Sequence, residues 1–302
     1  MPVTLIVNPS AGRTRGVADA ATIARMLAPL GTVTQVCAAS VPQLTAAARA
    51  AATAGHIIVV AGGDGTVHHA VNALAGLPTT IGIVPSGRGN DLARALGLPL
   101  DVEAAAAQLA RGRARRMDLA EVNGRLLCTV GGTGLLARST SDVSRWSAED
   151  SPLRRPARWM GGNTYLVSAA VRVLSGTSSD AAHVAGEGPD GRWTWEGRAH
   201  AILIANQRHM GEGLRLPITS ADDDGVLDVC IVPERSRLSL VMKLTALKTG
   251  RSLGPDVLRV ERATTVRVEL ERRCAFAADG ELCCEDRVFA VSVRPSAIHV
   301  LV

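Results

Sequence analysis

The chain has 302 residues, of which 47% are hydrophobic and 20% charged, which excludes a disordered polypeptide and leaves room for two domains. Aromatic residues make up only 2%, so the cores must be built from Ala, Val, Leu and Ile. A formal net charge of +5 suits an anionic partner such as a nucleotide or an acidic membrane surface, but without an RNP-like stretch or zinc-finger spacing no nucleic acid is expected.

Six cysteines (Cys37, Cys128, Cys230, Cys274, Cys283 and Cys284) lack CxxC spacing and read as reduced, buried thiols. The start, "MPVTLIVNPS", has no charged region followed by a long apolar core, and no apolar run reaches the length of a membrane span. A cytoplasmic chain that touches a membrane transiently is the expectation.

In chain order, the pattern predicts a strand at Val3–Asn8 closed by "NPSAG", a helix at Val17–Leu30, a strand at Thr32–Cys37 and an Ala-rich helix at Val41–Ala54. A β-branched strand at Ile57–Ala61 runs through glycines into a helix at Thr66–Leu74. A further strand at Thr80–Val84 is closed by "PSGRGND" and followed by a helix ending at Leu96. Short apolar runs alternating with helices imply a parallel sheet covered on both faces, with ligands at the carboxyl ends of its strands.

Beyond the basic connector "ARGRARRMDL" strand signals dominate: Leu119–Val122 and Leu126–Val130 around an Asn123-Gly124 hairpin, then Ala199–Ala205, Val226–Val232, Thr265–Leu270, Ala275–Ala278 and Val288–Val293. Helices are expected at Trp159–Leu174 and Leu238–Thr249, and "SDVSRWSAEDSPLRRPARW" reads as a loop. The fold class is therefore α/β in two domains: residues 1–118 a parallel-sheet nucleotide domain, residues 119–285 a mainly antiparallel β domain, and residues 286–302 a segment returning to the first.

Three loops carry the chemistry. In Gly62-Gly63-Asp64-Gly65-Thr66, glycines let backbone amides approach a phosphate while the next helix offers its positive end. Asp64 is the anomaly, because a carboxylate in a phosphate cradle repels unless something compensates it; the plain alternative is a helix cap. The second loop, "PSGRGNDLAR", repeats the device with Asn90 and Asp91 opening a helix, and "NPSAGRTRG" adds a third, weaker one. His68 and His69 follow the first loop in the opening turn of a helix. Trp146, Trp159, Tyr165, Arg154, Arg155 and Arg158 suit a membrane-facing patch or equally a plain surface helix.

Together these segments resemble the diacylglycerol kinase catalytic family, which includes sphingosine, ceramide and bacterial lipid kinases. "IANQRHMGEGLRLPITSADDDGVLDV" and "FAADGELC" match two later motifs of that family in the same order. The resemblance implies ATP in a cleft between an α/β domain and a β-sandwich, and transfer of its γ-phosphate to a lipid hydroxyl. Diacylglycerol is the first substrate expected, with a sphingoid base or phosphatidylglycerol open. Asn8, Ser40, Gly62, Gly63, Asp64, Gly65, Thr66, Val67, His68, Gly87, Arg88, Asn90 and Asp91 would contact the nucleotide, Asp64 and Asp91 organising its Mg²⁺. Asp279 would be the general base and Glu281 its support, although Asp279-Gly280 also reads as a hairpin turn.

Asp224, with the carbonyls of Ala221 and Val226, would hold a structural Mg²⁺. The chain departs from the family at Arg88 (usually Thr), Leu92 (usually aromatic), Ala11 (usually Ser) and in "GEG" at Gly211–Gly213. The expected partners are a lipid substrate at a membrane surface and ATP, with a homodimer left open. A NAD kinase-like or other small-molecule kinase, and a catalytically silent nucleotide- or lipid-binding protein, are the rival readings.

Overall fold

The computed structural model describes residues 1–9, 17–148, 150–153, 155, 164–176, 179–211, 213–218, 221–234, 254 and 257–302. The expected helix at 238–249, together with Ala11, Arg154, Arg158, Trp159 and Glu212, lies outside them. The chain divides into two units, Met1–Leu119 with Pro295–Val302, and Ala120–Arg294. The sequence pattern divides it at 118 and 285.

The first unit runs β1 (Val3–Val7), α1 (Val17–Leu27), β2 (Val33–Cys37), α2 (Val41–Thr53), β3 (Ile57–Gly62), α3 (Asp64–Leu74), β4 (Thr80–Pro85), α4 (Asp91–Ala95) and α5 (Val102–Leu109). β1 pairs in parallel with β2 and with β3 (Val3↔Val33, Val3↔Ile57), and β3 pairs in parallel with β4 (Ile58↔Ile81). "VTLIV" is buried along its whole length and "IIVVAG" and "TIGIVP" along nearly all of theirs, as strands covered on both faces must be. Because the strands are parallel, the loops after β1, β2, β3 and β4 open at one edge of the sheet. The chain order reverses between β1 and β3, where ligands of such sheets bind.

β5 (Ala114–Val122) passes from the first unit into the second, which continues with β6 (Arg125–Leu127), β7 (Val130–Gly134), α6 (Leu135–Ser147), α7 (Thr164–Leu174), β8 (Asp180–Gly188), β9 (Gly191–Ala205), the short pair β10 (His209–Met210) and β11 (Leu214–Arg215), β12 (Leu227–Pro233), β13 (Arg259–Ala263), β14 (Thr265–Ala278) and β15 (Glu281–Leu301). Its strands β6 to β14 pair antiparallel among the described residues, with β9 joined to β7, β8 and β12. The expected Asn123-Gly124 hairpin is present, both residues at positive φ as a tight turn requires. Along β9, Ile202 and Ile204 join one apolar cluster while Ala201, Leu203 and Ala205 join another with Ala169 and Val173 of α7, so both faces of the strand are covered. β15 ends in the first unit, where His299 and Val300 pair in parallel with Thr80 and Ile81.

Three expectations are corrected. The first part of the expected loop at 141–159 is α6, whose Leu135, Ser139, Thr140 and Val143 are buried at helical spacing. β8 was not foreseen in the Ala- and Gly-rich "DAAHVAGEG", which is a strand because β9 and β14 flank it. The runs at 265–270 and 275–278 are one strand with an irregularity between Glu269 and Cys274. No helix among the described residues is long and apolar enough to cross a membrane.

The two phenylalanines of the chain pack together in the second unit, ring centroids 5.2 Å apart and both side chains fully buried. Phe276→Ala should cost about 3–5 kcal/mol by leaving a cavity. Denaturant unfolding followed by tryptophan emission checks this, since all four tryptophans lie between residues 120 and 294.

Candidate active site

Asn8, just past β1, and the loops after β3 and β4 meet at the carboxyl edge of the first unit's sheet. Asn8 donates from Nδ2 to Thr66 Oγ1 at 2.9 Å, tying the end of β1 to the first turn of α3. A Cβ on Gly87 would lie 2.5 Å from the Gly63 Cα, so the two glycine loops touch backbone to backbone. Gly62 is equally constrained, its hypothetical Cβ 2.5 Å from that of Thr66.

Asp64 answers the question its position raises. It does not cap its own helix: α3 has Gly63 as its N-cap and no side-chain cap bond. Instead its Oδ2 accepts from the Asn90 amide and its Oδ1 from the Asp91 amide, both at 2.7 Å. Its charge is thus spent on the opening amides of α4 in the neighbouring loop. Asn90, at φ 52, closes that loop with its side chain: Oδ1 accepts from Gly87 N and Nδ2 donates to Gly87 O, each at 2.9 Å.

The amides of Gly65 and Thr66 precede the first intrahelical bond of α3, Val67 N to Gly63 O. They form the positive end of an eleven-residue helix and suit an anion. This donor set and the glycine contact fit the phosphates of a nucleotide. Val67 spends its amide inside the helix, and its side chain and that of His68 are buried. Ser40 stands at the same edge but caps α2 through Gln43 N at 3.4 Å. Arg88 is exposed at the tip of the second loop and Asp91 is buried at its base.

In the second unit, Asp279 occupies the two-residue turn between β14 and β15 with φ 51, followed by Gly280 at φ 83. The residue is 9% exposed, and its carboxylate accepts from Cys128 N, from Thr129 N at 2.8 Å and from Thr129 Oγ1 at 2.8 Å. Asn206 buttresses the donors, giving Nδ2 to Cys128 O at 3.1 Å and its amide to Thr129 O at 2.8 Å. Glycines let β7 enter here, since a Cβ on Gly131 would lie 2.8 Å from Ala277 O and one on Gly132 2.4 Å from Ile202 O. The result is one carboxylate on a rigid mount. Glu281 is exposed where β15 leaves the turn. Cys128, Thr129 and Asn206 were not foreseen as site residues, although "VGGTG" and the Asn of "IANQRHM" were visible signals. The Cys283 thiol beside the turn is pushed up to about 12 by burial and by Cys284, which keeps it protonated at neutral pH.

The residues around Asp224 do not fit a resident Mg²⁺. Oδ2 of Asp224 takes the Arg262 guanidinium at 2.7 Å and Oδ1 accepts from Val226 N at 3.1 Å. A hard cation wants a cage of oxygens, whereas this carboxylate is already neutralised by arginine. Ala221 is exposed three residues before it.

Two outcomes follow from this geometry. Asp64→Ala should leave the amides of Asn90 and Asp91 without their acceptor, costing about 1–3 kcal/mol locally; hydrogen exchange at those two amides should accelerate about tenfold or more. The melting temperature of the wild type should be the same in EDTA and in Mg²⁺, while Arg262→Met should make it rise with Mg²⁺. A wild-type rise with Mg²⁺ would restore Asp224 as a ligand.

Comparison with known proteins agrees with this architecture. Residues 2–122 match the model of the diacylglycerol kinase catalytic domain, and residues 154–302 that of the YegS C-terminal NAD kinase beta sandwich-like domain. A Pseudomonas syringae pv. tomato protein named "Probable lipid kinase YegS-like" is 36% identical over 83% of this chain and 77% of its own length. The diacylglycerol kinase of Bacillus subtilis is 29% identical over 74% of this chain and 71% of its own. A crystal structure of a diacylglycerol kinase from Bacillus anthracis superposes with a TM-score of 0.74 at 20% identity, covering 99% of this chain and 96% of the other, and so shares the fold. The two family domains in succession, and a relative above the threshold of chance likeness over most of its length, make this chain a member of the YegS-like branch of the diacylglycerol kinase family, and hence a kinase-type phosphotransferase.

Proposed function

We propose that the chain transfers the γ-phosphate of Mg-ATP to the hydroxyl of a membrane lipid, diacylglycerol first among them, giving a phosphatidic acid. The observation that carries this reading is the carboxylate of buried Asp279, held by Cys128 and Thr129 on the two-residue turn between β14 and β15. Phosphoryl transfer asks little covalent chemistry of a protein; it needs phosphates held by donors, and a proton acceptor at the attacking oxygen.

The amides of Gly65 and Thr66, with the glycines of both loops, supply the first requirement in this proposal. Asp279 supplies the second. The lipid hydroxyl oxygen forms a bond to the γ-phosphorus as the bond to the ADP oxygen breaks; the hydroxyl proton passes to Asp279 and ADP leaves. The Mg²⁺ arrives with the nucleotide as part of the substrate. Asp64, spent on the second loop, shapes the cradle and keeps its charge off the phosphates. Diacylglycerol is supported by the names of the Bacillus relatives.

The test is transfer of labelled γ-phosphate from Mg-ATP to a total lipid extract in vesicles. Wild type should label a lipid identified by mass, and Asp279→Asn should lose at least about a hundredfold in rate with nucleotide affinity kept. Gly87→Ala should instead weaken nucleotide binding, about tenfold or more, by forcing the two loops apart. Nucleotide binding without labelled lipid from any of the three would overturn the reading.

A further inference from the structure

Neighbouring cysteines in a regular strand do not meet, because successive side chains leave from opposite faces. Cys283 and Cys284 do. The register between β14 and β15 slips just past the Asp279 turn: Ala277 pairs with Leu282 but Phe276 with Cys284, which leaves Cys283 as the extra residue of a β-bulge. Both side chains pack against the same apolar cluster, and the two thiols are hydrogen-bonded to each other. Each is half-buried, whereas Cys128 and Cys230 are buried.

The pair stands beside the proposed base, and the Asp279 charge is felt at Cys283. Burial pushes both thiols up, helped at Cys283 by Cys284 and Asp279, so they rest protonated at neutral pH. The Arg125 guanidinium of β6 acts on both in the direction of releasing their protons.

A protonated pair does not invite oxidation, since the thiolate is the reacting form. A disulfide also suits chain neighbours poorly: consecutive Cα atoms lie about 3.8 Å apart, closer than the roughly 4.4–6.8 Å of a relaxed disulfide. An atom inserted between the sulfurs relieves that constraint. It must accept two adjacent sulfurs, replace two protons and leave no net charge beside Asp279. Trivalent arsenic carrying one organic group meets all three conditions. Zinc asks for four ligands, and a linear two-coordinate ion asks for sulfurs on opposite sides of it.

We propose that the bulge dithiol of Cys283 and Cys284 is a binding site for trivalent arsenicals of the form R–As(OH)2, and that its occupation blocks the Asp279 turn. Two As–O bonds break and two As–S bonds form, and each thiol proton leaves with a hydroxide as water. Arsenic stays trivalent, so no oxidant or reductant is needed. The group R then stands beside the turn that must admit the acceptor hydroxyl. Binding is independent of the kinase reading above; the loss of activity rests on it.

The experiment treats the full chain and its variants Cys283→Ser and Cys284→Ser with phenylarsine oxide, which hydrates to the dihydroxy form. Alanine at either position serves as a second replacement, and a melting scan checks that each variant is folded. Intact mass should show one phenylarsenic group on wild type with two hydrogens lost, removed by a small dithiol and left in place by a monothiol. Each variant should bind at least about a hundredfold more weakly, because chelation becomes attachment at one point. Transfer to vesicle-borne diacylglycerol should fall with occupancy in wild type and survive the same dose in the variants.

A stable adduct on either folded variant, or none on wild type, overturns the site. A disulfide formed between the two in air, before any arsenical is added, overturns it in favour of a redox pair. Full occupancy with undiminished transfer overturns the link to Asp279. If wild type phosphorylates no lipid, the mass of the adduct still decides the site, and the failure counts against the acceptor reading instead.

Discussion

The first unit depends on one bidentate contact. A carboxylate at the mouth of a strand, with glycines on both sides, is a strange choice for a loop that suits phosphate. The oxygens of Asp64 each take one amide from the neighbouring loop, so the negative charge that would repel an anion is consumed in joining the loops after β3 and β4. The other features follow: Gly63 and Gly87 must lack side chains because the joined loops touch, and Asn90 must adopt a left-handed conformation so that successive amides face one carboxylate.

The second unit uses the same pair of groups to the opposite end. There the amides of Cys128 and Thr129 converge on Asp279, but what they hold in place is the carboxylate itself. In one unit a carboxylate organises backbone; in the other, backbone organises a carboxylate. A charge fixed by directed donors keeps its position as a substrate arrives, which is how a proton acceptor is preorganised. Asn206, fully buried behind the donors, shows how far inward the support extends.

Much of this was legible in the sequence, for identifiable reasons. The parallel strands announce themselves as β-branched runs, and the loops as glycine clusters beside Asp, Asn and Thr. Asn123-Gly124 and Asp279-Gly280 name their own turns. What was hidden is what depends on partners distant in the chain. Asp64 finds its donors 26 and 27 residues away and Asp279 finds Thr129 at 150, and a side chain bonded to an amide leaves no trace in the composition. Helix α6 was hidden because Ser, Thr and Asp favour loops until packing overrules them, and β8 because Ala and Gly are weak strand formers.

The route of β15 has a bearing on how the protein comes to be made. The exposed side of β4 is completed by His299 and Val300, which follow the entire second unit in the chain. On the ribosome, the α/β sheet therefore waits with an open edge while the second unit, Ala120–Arg294, emerges. An apolar parallel strand with free amides is a template for unwanted pairing. The buried, glycine-bearing strand "TIGIVP" is thus the segment most in need of shielding during synthesis, and the last strand to arrive is what closes it.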